Sequence, residues 1–300
     1  MPAHITIVPA STQAGKETVL FLLASKSKPF VRGIYRDPSK APTEFTQHPN
    51  FEAVKGDVGS GAGLDFSGSN AVMYIPPPTY DGTDQGQFAT QTALNVKKAL
   101  QNAPNVTRLL LHSSMGAQHD HGIGILRLNH ISDNVLKHTV PEVLVVRPAY
   151  FYENWADALK TMQADPPRLE SPIPLAEYQI PMVSAKDVGE YFANALLEES
   201  AKPGLQHVDL YGPRHYSSLD VKKAIEDVTG KEGELVNIER DALSQWYEKH
   251  VPKVYAQEFA DMILGALPGG VMEHFDDQPQ IVRGKTELGD AMREMAFHSG

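Results

Sequence analysis

Tyr150-Phe151-Tyr152-Glu153-Asn154-Trp155 is the densest cluster of side chains able to hold and protonate a ligand. Its rings suit a planar or apolar molecule, and phenol hydroxyls can donate protons. Tyr150 is therefore a candidate catalytic residue, with Tyr152, Asn154 and Trp155 as candidate substrate contacts; packing is the equal alternative for Phe151. A second group is His119-Asp120-His121, set among Gly116, Gly122 and Gly124. The glycines suggest a mobile segment that could close over a ligand, with His119 as a contact. Two histidines and a carboxylate also invite a metal. Adjacent side chains in a flexible loop rarely converge on one ion, however, and no fourth ligand is indicated, so no metal is expected.

His130 stands in Leu128-Asn129-His130-Ile131-Ser132-Asp133-Asn134. Imidazole changes charge nearest neutral pH, so His130 can take part in acid–base chemistry; a surface or hydrogen-bonded structural histidine explains it at least as well. No tyrosine in the chain is followed four residues later by lysine. The usual proton donor of short-chain dehydrogenases, a tyrosine whose pKa a lysine lowers, is therefore missing.

Phosphate chemistry is suggested by the first turn, Pro9-Ala10-Ser11-Thr12-Gln13-Ala14-Gly15. A dinucleotide-binding turn spaces glycines as GxxGxxG or GxGxxG, and here Pro9 and Thr12 occupy two of the GxxGxxG positions, leaving Gly15. Proline removes a donor and fixes φ, and threonine adds a branched side chain where backbone should approach phosphate. Ser11 and Thr12 hydroxyls can still donate to phosphate oxygens, and the following helix still presents N–H groups and a positive dipole end. A turn that serves only the fold is the alternative. Arg36 follows the second strand, where NAD-preferring sites carry an acidic residue, so its guanidinium suits a 2′-phosphate and Lys40 could assist. The plainer alternative is a solvated arginine paired with Asp37.

The elements that must position these residues alternate. His4–Val8, Phe30–Tyr35, Phe51–Asp57, Asn70–Ile75, Val106–His112 and Val143–Arg147 read as strands; Gly15–Leu23, Gln85–Asn102 and Leu126–Lys137 read as helices. The pattern predicts an α/β fold with a doubly wound parallel sheet, ligands binding beyond the carboxyl ends of its strands. The proline-rich stretch from Asp165 to Pro181 marks a smaller, mainly helical region. Residues 1–150 and 184–215 are expected to form the main core, with 151–183 and 216–300 as the smaller substrate region. Val183–Val188 and the helix after it read as a return to the main sheet, with Val208–Tyr211 as its last strand. Ser217 or Ser218 is expected to cap a helix that Gly230 stops, and the rest, including Asp241 to His250 and Tyr255 to Ala266, reads as helical until Leu267-Pro268-Gly269-Gly270 breaks it.

The 300 residues are 41% hydrophobic with a net charge of −10, which argues against a general nucleic-acid or anionic-membrane surface. The absence of cysteine excludes disulfides, thiolate catalysis and cysteine-based zinc sites. No signal peptide or long apolar run is visible, so the chain reads as cytoplasmic.

The order of elements, Gly56-Asp57, Ser113-Ser114, Arg147-Pro148-Ala149-Tyr150-Phe151-Tyr152-Glu153-Asn154 and Pro181-Met182-Val183-Ser184-Ala185-Lys186-Asp187-Val188-Gly189 resemble the NmrA-like branch of the atypical short-chain dehydrogenase/reductases over roughly residues 4–231. The resemblance implies a Rossmann core that binds NADP(H) or NAD(H). It sets Pro9, Ala10, Ser11, Thr12 and Gly15 on the specified positions of the family's GATGxxG turn, and with Arg36 it favours NADP(H). It further implies that Asp57 and Val58 flank the adenine, that Pro76 and Pro77 line the approach to the nicotinamide ribose, that Ser113 and Pro148 border the cofactor, and that His130, on the helix where the family's proton-donor pair or lone lysine lies, is the substitute proton donor with Ser114 across the site as its hydrogen-bonding partner.

Three functions remain open. One is an NADPH-dependent reductase of a small aromatic, quinone-like or carbonyl substrate. Another is a cofactor-sensing regulator without turnover that acts through a protein partner. The third is a non-redox isomerase, cyclase or dehydratase that reuses the cleft after loss of the cofactor.

Overall fold

The computed structural model describes residues 3–299. Along the chain, β1 (His4–Val8) leads into α1 (Gln13–Ala24), β2 (Phe30–Tyr35), the short α2 (Thr43–Thr46), β3 (Phe51–Lys55), β4 (Ala71–Tyr74), α3 (Gln85–Gln101), β5 (Arg108–His112), α4 (Arg127–Leu136) and β6 (Glu142–Pro148). There follow β7 (Tyr150–Phe151), α5 (Ala156–Thr161), β8 (Arg168–Ser171), β9 (Ile180–Val183), α6 (Ala185–Leu197) and β10 (Gly204–Tyr211). The chain continues through β11 (His215–Tyr216), α7 (Ser218–Thr229), β12 (Glu234–Asn237), α8 (Leu243–Tyr247), α9 (Lys253–Gly265), β13 (Ile281–Arg283) and α10 (Leu288–Ser299).

The chain divides into two compact units, one of Met1–Ala117, Arg127–Arg147 and Val188–Val208, the other of Gln118–Leu126, Pro148–Asp187 and Asp209–Gly300. In the first unit the parallel sheet runs β10-β6-β5-β4-β1-β2-β3. The end of β10, Asp209–Tyr211, belongs to the second unit, where β13 pairs with it as the eighth strand. Strand order reverses between β1 and β4, so the carboxyl ends of these two strands mark the crevice where such sheets take ligands. All four residues of β4 are buried, as are Ile5–Val8 of β1, because helices cover a doubly wound sheet on both faces. Val8, Ile34, Val72, Val96, Leu109, Leu111, Val143 and Val145 form part of one continuous core.

Three expectations are met only in part. Of the Val183–Val188 segment, Val183 ends β9, which pairs with Tyr150–Phe151 on one side and antiparallel with His215–Tyr216 on the other in a separate three-stranded sheet, and the return to the main sheet comes through α6 and β10. Val208–Tyr211 lies in the main sheet but is not its last strand, since β13 follows. The segment after Gly230 is not wholly helical, because Glu234–Asn237 pairs in parallel with Arg168–Ser171. The cap itself is as the sequence implies: Ser217 and Asp220 form a reciprocal capping box on α7, and Gly230 ends it at φ 68°. Among the described residues no helix is long and apolar enough to cross a membrane.

Candidate functional site

In the first unit, the turn after β1 closes on itself. α1 starts at Gln13, two residues before the sequence reading placed it, because Thr12 acts as its N-cap: the Thr12 Oγ1 accepts from the Gly15 N–H at 3.0 Å. The same hydroxyl lies 3.4 Å from the Pro9 carbonyl, so it serves the turn rather than standing open to a phosphate. Gly15 is required here. A Cβ would sit 2.8 Å from Thr12 Oγ1 and 3.0 Å from the Ala10 carbonyl. The Ala10 N–H is committed to the Ile34 carbonyl at 3.0 Å. What remains for an anion is the exposed Ser11 and the N-terminus of α1, where Gln13 and Ala14 N–H groups have no intrahelical acceptor.

Arg36 is exposed immediately beyond β2 and, among the described residues, has no hydrogen bond or ion pair. Asp37 does not hold it; that carboxylate instead accepts from the Ser39 hydroxyl at 2.7 Å and the Ser39 amide at 3.1 Å, which keeps its pKa below the ordinary value. Arg36 instead bears on Asp57, beyond β3. Partial burial works against ionisation of Asp57, but the Ser60 hydroxyl, the Gly59 and Ser60 amides and the Arg36 charge together hold its carboxyl below the usual carboxylate range. Val58 is buried beside it, Lys40 is exposed, Pro76 is buried and Pro77 half-buried after β4. An exposed cation, an open helix N-terminus and an exposed hydroxyl fit an anionic dinucleotide, even though Pro9 and Thr12 take two glycine positions.

Past β5, the buried Ser113 donates to Asp133 Oδ2 on α4 at 2.5 Å, while Asp133 Oδ1 has no partner among the described residues. Burial pushes the Asp133 carboxyl up to about 7, against the opposing pull of the Ser113 hydrogen bond and the Arg147 charge. Sequence reasoning passed over this residue. Its signal was its position four residues after the buried Asn129 and three before the buried Leu136, which puts a carboxylate on the inner face of the helix. His130, by contrast, has both ring nitrogens engaged: Nδ1 is 2.9 Å from the Ala117 carbonyl and Nε2 is 3.0 Å from Asn134 Nδ2. With Nδ1 on the Ala117 carbonyl and Nε2 on the Asn134 amide, the ring is tied to both the preceding loop and its own helix. Ser114 is half-buried and its hydroxyl reaches only the Met115 carbonyl, at 3.3 Å; it makes no hydrogen bond to His130.

The second unit contains a cavity of about 280 Å³ lined by aromatic side chains. Tyr150 and Trp155 meet edge to face at 6.1 Å, Trp246 meets Tyr247 at 4.9 Å, and Tyr247 meets Phe259 at 5.5 Å. Glu170 accepts the Trp246 indole N–H at 2.6 Å and so fixes that ring. Burial raises the Tyr150 phenol above its ordinary pKa, opposed by a hydrogen bond with Asn154, and Tyr247 is raised by its own burial and by Tyr150. Asn154 is exposed at the rim and Pro148 is buried at the end of β6. The sequence pointed to Tyr150, Asn154 and Trp155, whereas Trp246, Tyr247 and Phe259 lie about a hundred residues away and only folding reveals them.

Two other candidates are placed differently. Tyr152 is fully buried, donates to the Thr286 carbonyl at 3.2 Å and packs edge to face on Tyr216. His119 is half-buried in a loop that is fastened rather than free. Gly124, at φ 51°, presses on α9 so closely that a Cβ would lie 1.9 Å from the Glu258 carbonyl. Asp120 and His121 pair with each other at 2.5 Å, and among the described residues no group of three or more His, Cys, Asp or Glu side chains is arranged to hold a metal ion.

Comparison with curated proteins gives no match. Among solved structures, triphenylmethane reductase of Citrobacter sp., complexed with NADP(H), aligns with a TM-score of 0.77 at 18% identity over 97% of this chain and 99% of that one. The NADPH-dependent quinone oxidoreductase of Escherichia coli, complexed with NADPH, aligns at 0.73 with 17% identity over 97% and 99%. A mutant NmrA aligns at 0.69 with 14% identity over 98% and 91%. Identities this low speak to the shared fold. The family assignment rests on the sequence, since the model of the NmrA-like family matches residues 1–267, more than half of the chain, and the chain belongs to that family.

Proposed function

We propose that the protein is an NADPH-dependent reductase of a small aromatic, quinone-like or carbonyl substrate, with the first unit holding the cofactor and the second the substrate. The observation that carries the reading is Arg36: an exposed guanidinium with no hydrogen-bonding partner among the described residues, at the carboxyl end of β2, is the group a 2′-phosphate needs. Ser11 and the N-terminus of α1 would take the pyrophosphate, Lys40 would add charge, Asp57 and Val58 would border the adenine, and Pro76, Pro77 and Ser113 would border the nicotinamide end. The NADP(H) and NADPH complexes of the two reductases above support this choice of cofactor.

When bound, NADPH supplies a hydride. Reduction of a quinone to a hydroquinone then requires one proton, which we assign to water, because both nitrogens of His130 are engaged. Tyr150, kept neutral by burial, would donate a hydrogen bond to the substrate oxygen as negative charge develops on it. The test is NADPH oxidation by the purified protein with quinones, enones and aromatic carbonyls. Turnover supports the reading. Tight NADPH binding with no turnover on any of them favours the cofactor-sensing regulator, a reading that the missing Tyr-x-x-x-Lys pair and the engaged His130 independently favour.

A further inference from the structure

The first unit has a cavity of its own, of about 280 Å³, at the amino ends of the strands and so at the opposite end of the sheet from the crevice marked by β1 and β4. Its wall includes Arg108 and Glu142, which open β5 and β6 and pair in register. Arg108 Nη2 donates to Glu142 Oε2 at 3.1 Å and to the Ser200 carbonyl at 3.3 Å, while Nη1 closes the end of α6 by donating to the Ala195 and Glu198 carbonyls at 3.1 and 2.6 Å. Arg108 Nε is sealed from solvent. The one cation in the wall therefore has no donor left for a ligand. The carboxylates do have capacity. Glu142 is 8% exposed, and its Oε2 also accepts from the Lys202 amide at 3.3 Å. Its Oε1 has no hydrogen bond among the described residues and, unlike Arg108 Nε, is not sealed from solvent. Glu198 and Glu199 line the same space and are exposed; Lys202 Nζ stands 3.8 Å from Glu198 Oε2, and Glu199 has no ion pair among the described residues. Three carboxylates thus stand against Arg108 and Lys202, beside the negative end of α6. An anion would meet Glu142 Oε1 with no donor to hold it, whereas an ammonium supplies the bond that this oxygen lacks.

We propose that this cavity binds a small primary amine, its ammonium donating to Glu142 Oε1 and its apolar body lying on Leu196, Leu197 and Pro203, which line the remainder of the wall. The site belongs to the first unit alone, is separate from the strand ends that would hold the dinucleotide, and does not rest on the reductase reading. At about 30 Å³ of liquid volume per water, a cavity of about 280 Å³ has room for about nine non-hydrogen atoms.

The test titrates the full chain, free of nucleotide, with 2-phenylethylamine, 2-phenylethanol and phenylacetate at neutral pH and constant ionic strength. Binding is followed through the backbone amide resonances of the labelled protein, and affinities are checked by calorimetry. Saturable shifts are expected with the amine, centred on the starts of β4, β5 and β6 and on the end of α6. The alcohol should bind at least about fivefold more weakly, since it keeps a hydrogen bond but lacks the charge, and phenylacetate more weakly still. Glu142→Gln removes the charge and should weaken the amine about tenfold. That variant also takes a charged partner from Arg108, so a second one leaves the ion pair alone: Ala201→Trp, at an exposed position in the wall, fills the space and should abolish the amine shifts while thermal unfolding shows an intact fold. Equal or tighter binding of the alcohol or the carboxylate, amine shifts centred elsewhere, or unchanged amine affinity in Ala201→Trp or in a folded Glu142→Gln overturns the proposal.

Discussion

Replacing Asp133 by Asn should change how stability depends on pH. In the folded chain this carboxyl is buried and titrates near 7, whereas in the unfolded chain it titrates near 3.8. A folded pKa above the unfolded one means that the native state holds the proton more tightly. The associated stability is present in full below about pH 4 and is lost as pH rises through about 7. At about 1.4 kcal/mol per pH unit, the interval from 3.8 to about 7 corresponds to a loss of about 4 kcal/mol. Asparagine still accepts from Ser113 but cannot ionise, so Asp133→Asn should gain on the parent protein by up to about 4 kcal/mol between pH 4 and pH 8. Denaturant unfolding of both proteins at a series of pH values measures this difference directly. Parallel pH profiles would refute the reasoning, since they would mean that Asp133 ionises in the native state as it does in water. Ser113→Ala, which removes the one hydroxyl donated to the carboxylate, should push the transition to still higher pH.

Other consequences follow from named contacts. Arg36→Ala should weaken NADPH by roughly 1–3 kcal/mol and leave NADH nearly unchanged by calorimetry; equal losses would remove the 2′-phosphate role. Thr12→Ala deletes the N-cap of α1 and should cost about 1 kcal/mol in denaturant unfolding. His130→Gln should leave the rate and pH profile of any NADPH oxidation unchanged, because the imidazole is engaged on both nitrogens; an altered acid limb would return it to the mechanism. Gly124→Ala should destabilise the 118–126 loop, visible as faster local hydrogen exchange, because the methyl would meet the Glu258 carbonyl.

Much of the first unit was legible because its strands are buried apolar runs between turn signals. His4–Val8 and Phe30–Tyr35 fall where the sequence puts them, and Gly230 stops α7 as its backbone freedom predicts. The start of α1 was misread because Thr12 was weighed as a phosphate contact and its competence as a cap was overlooked. The short strands β12 and β13 were missed for a different reason. Four and three residues carry too little periodicity to be told from a helix end, and their pairing with β8 and β10 is set by tertiary packing.

The candidate site divides in the same way. Arg36 could be singled out because its meaning depends on one strand end, a local feature. Asp133 could not, because its character comes from Ser113, twenty residues earlier, and from the burial around both. The aromatic cavity joins Tyr150 and Trp155 to Trp246, Tyr247 and Phe259, and no spacing rule links those two segments. Tyr152, two residues from Tyr150 and chemically identical, is core, with its ring on Tyr216 and its hydroxyl on Thr286.

The central claim is that a phosphorylated dinucleotide binds despite Pro9 and Thr12. The most direct measurement is a calorimetric titration of the purified protein with NADPH and, separately, NADH, after absorbance shows that no nucleotide has copurified. Saturable binding with NADPH preferred is the predicted result. No heat from either nucleotide at high protein concentration would contradict it and would turn attention to acid–base chemistry on a cofactor-free site.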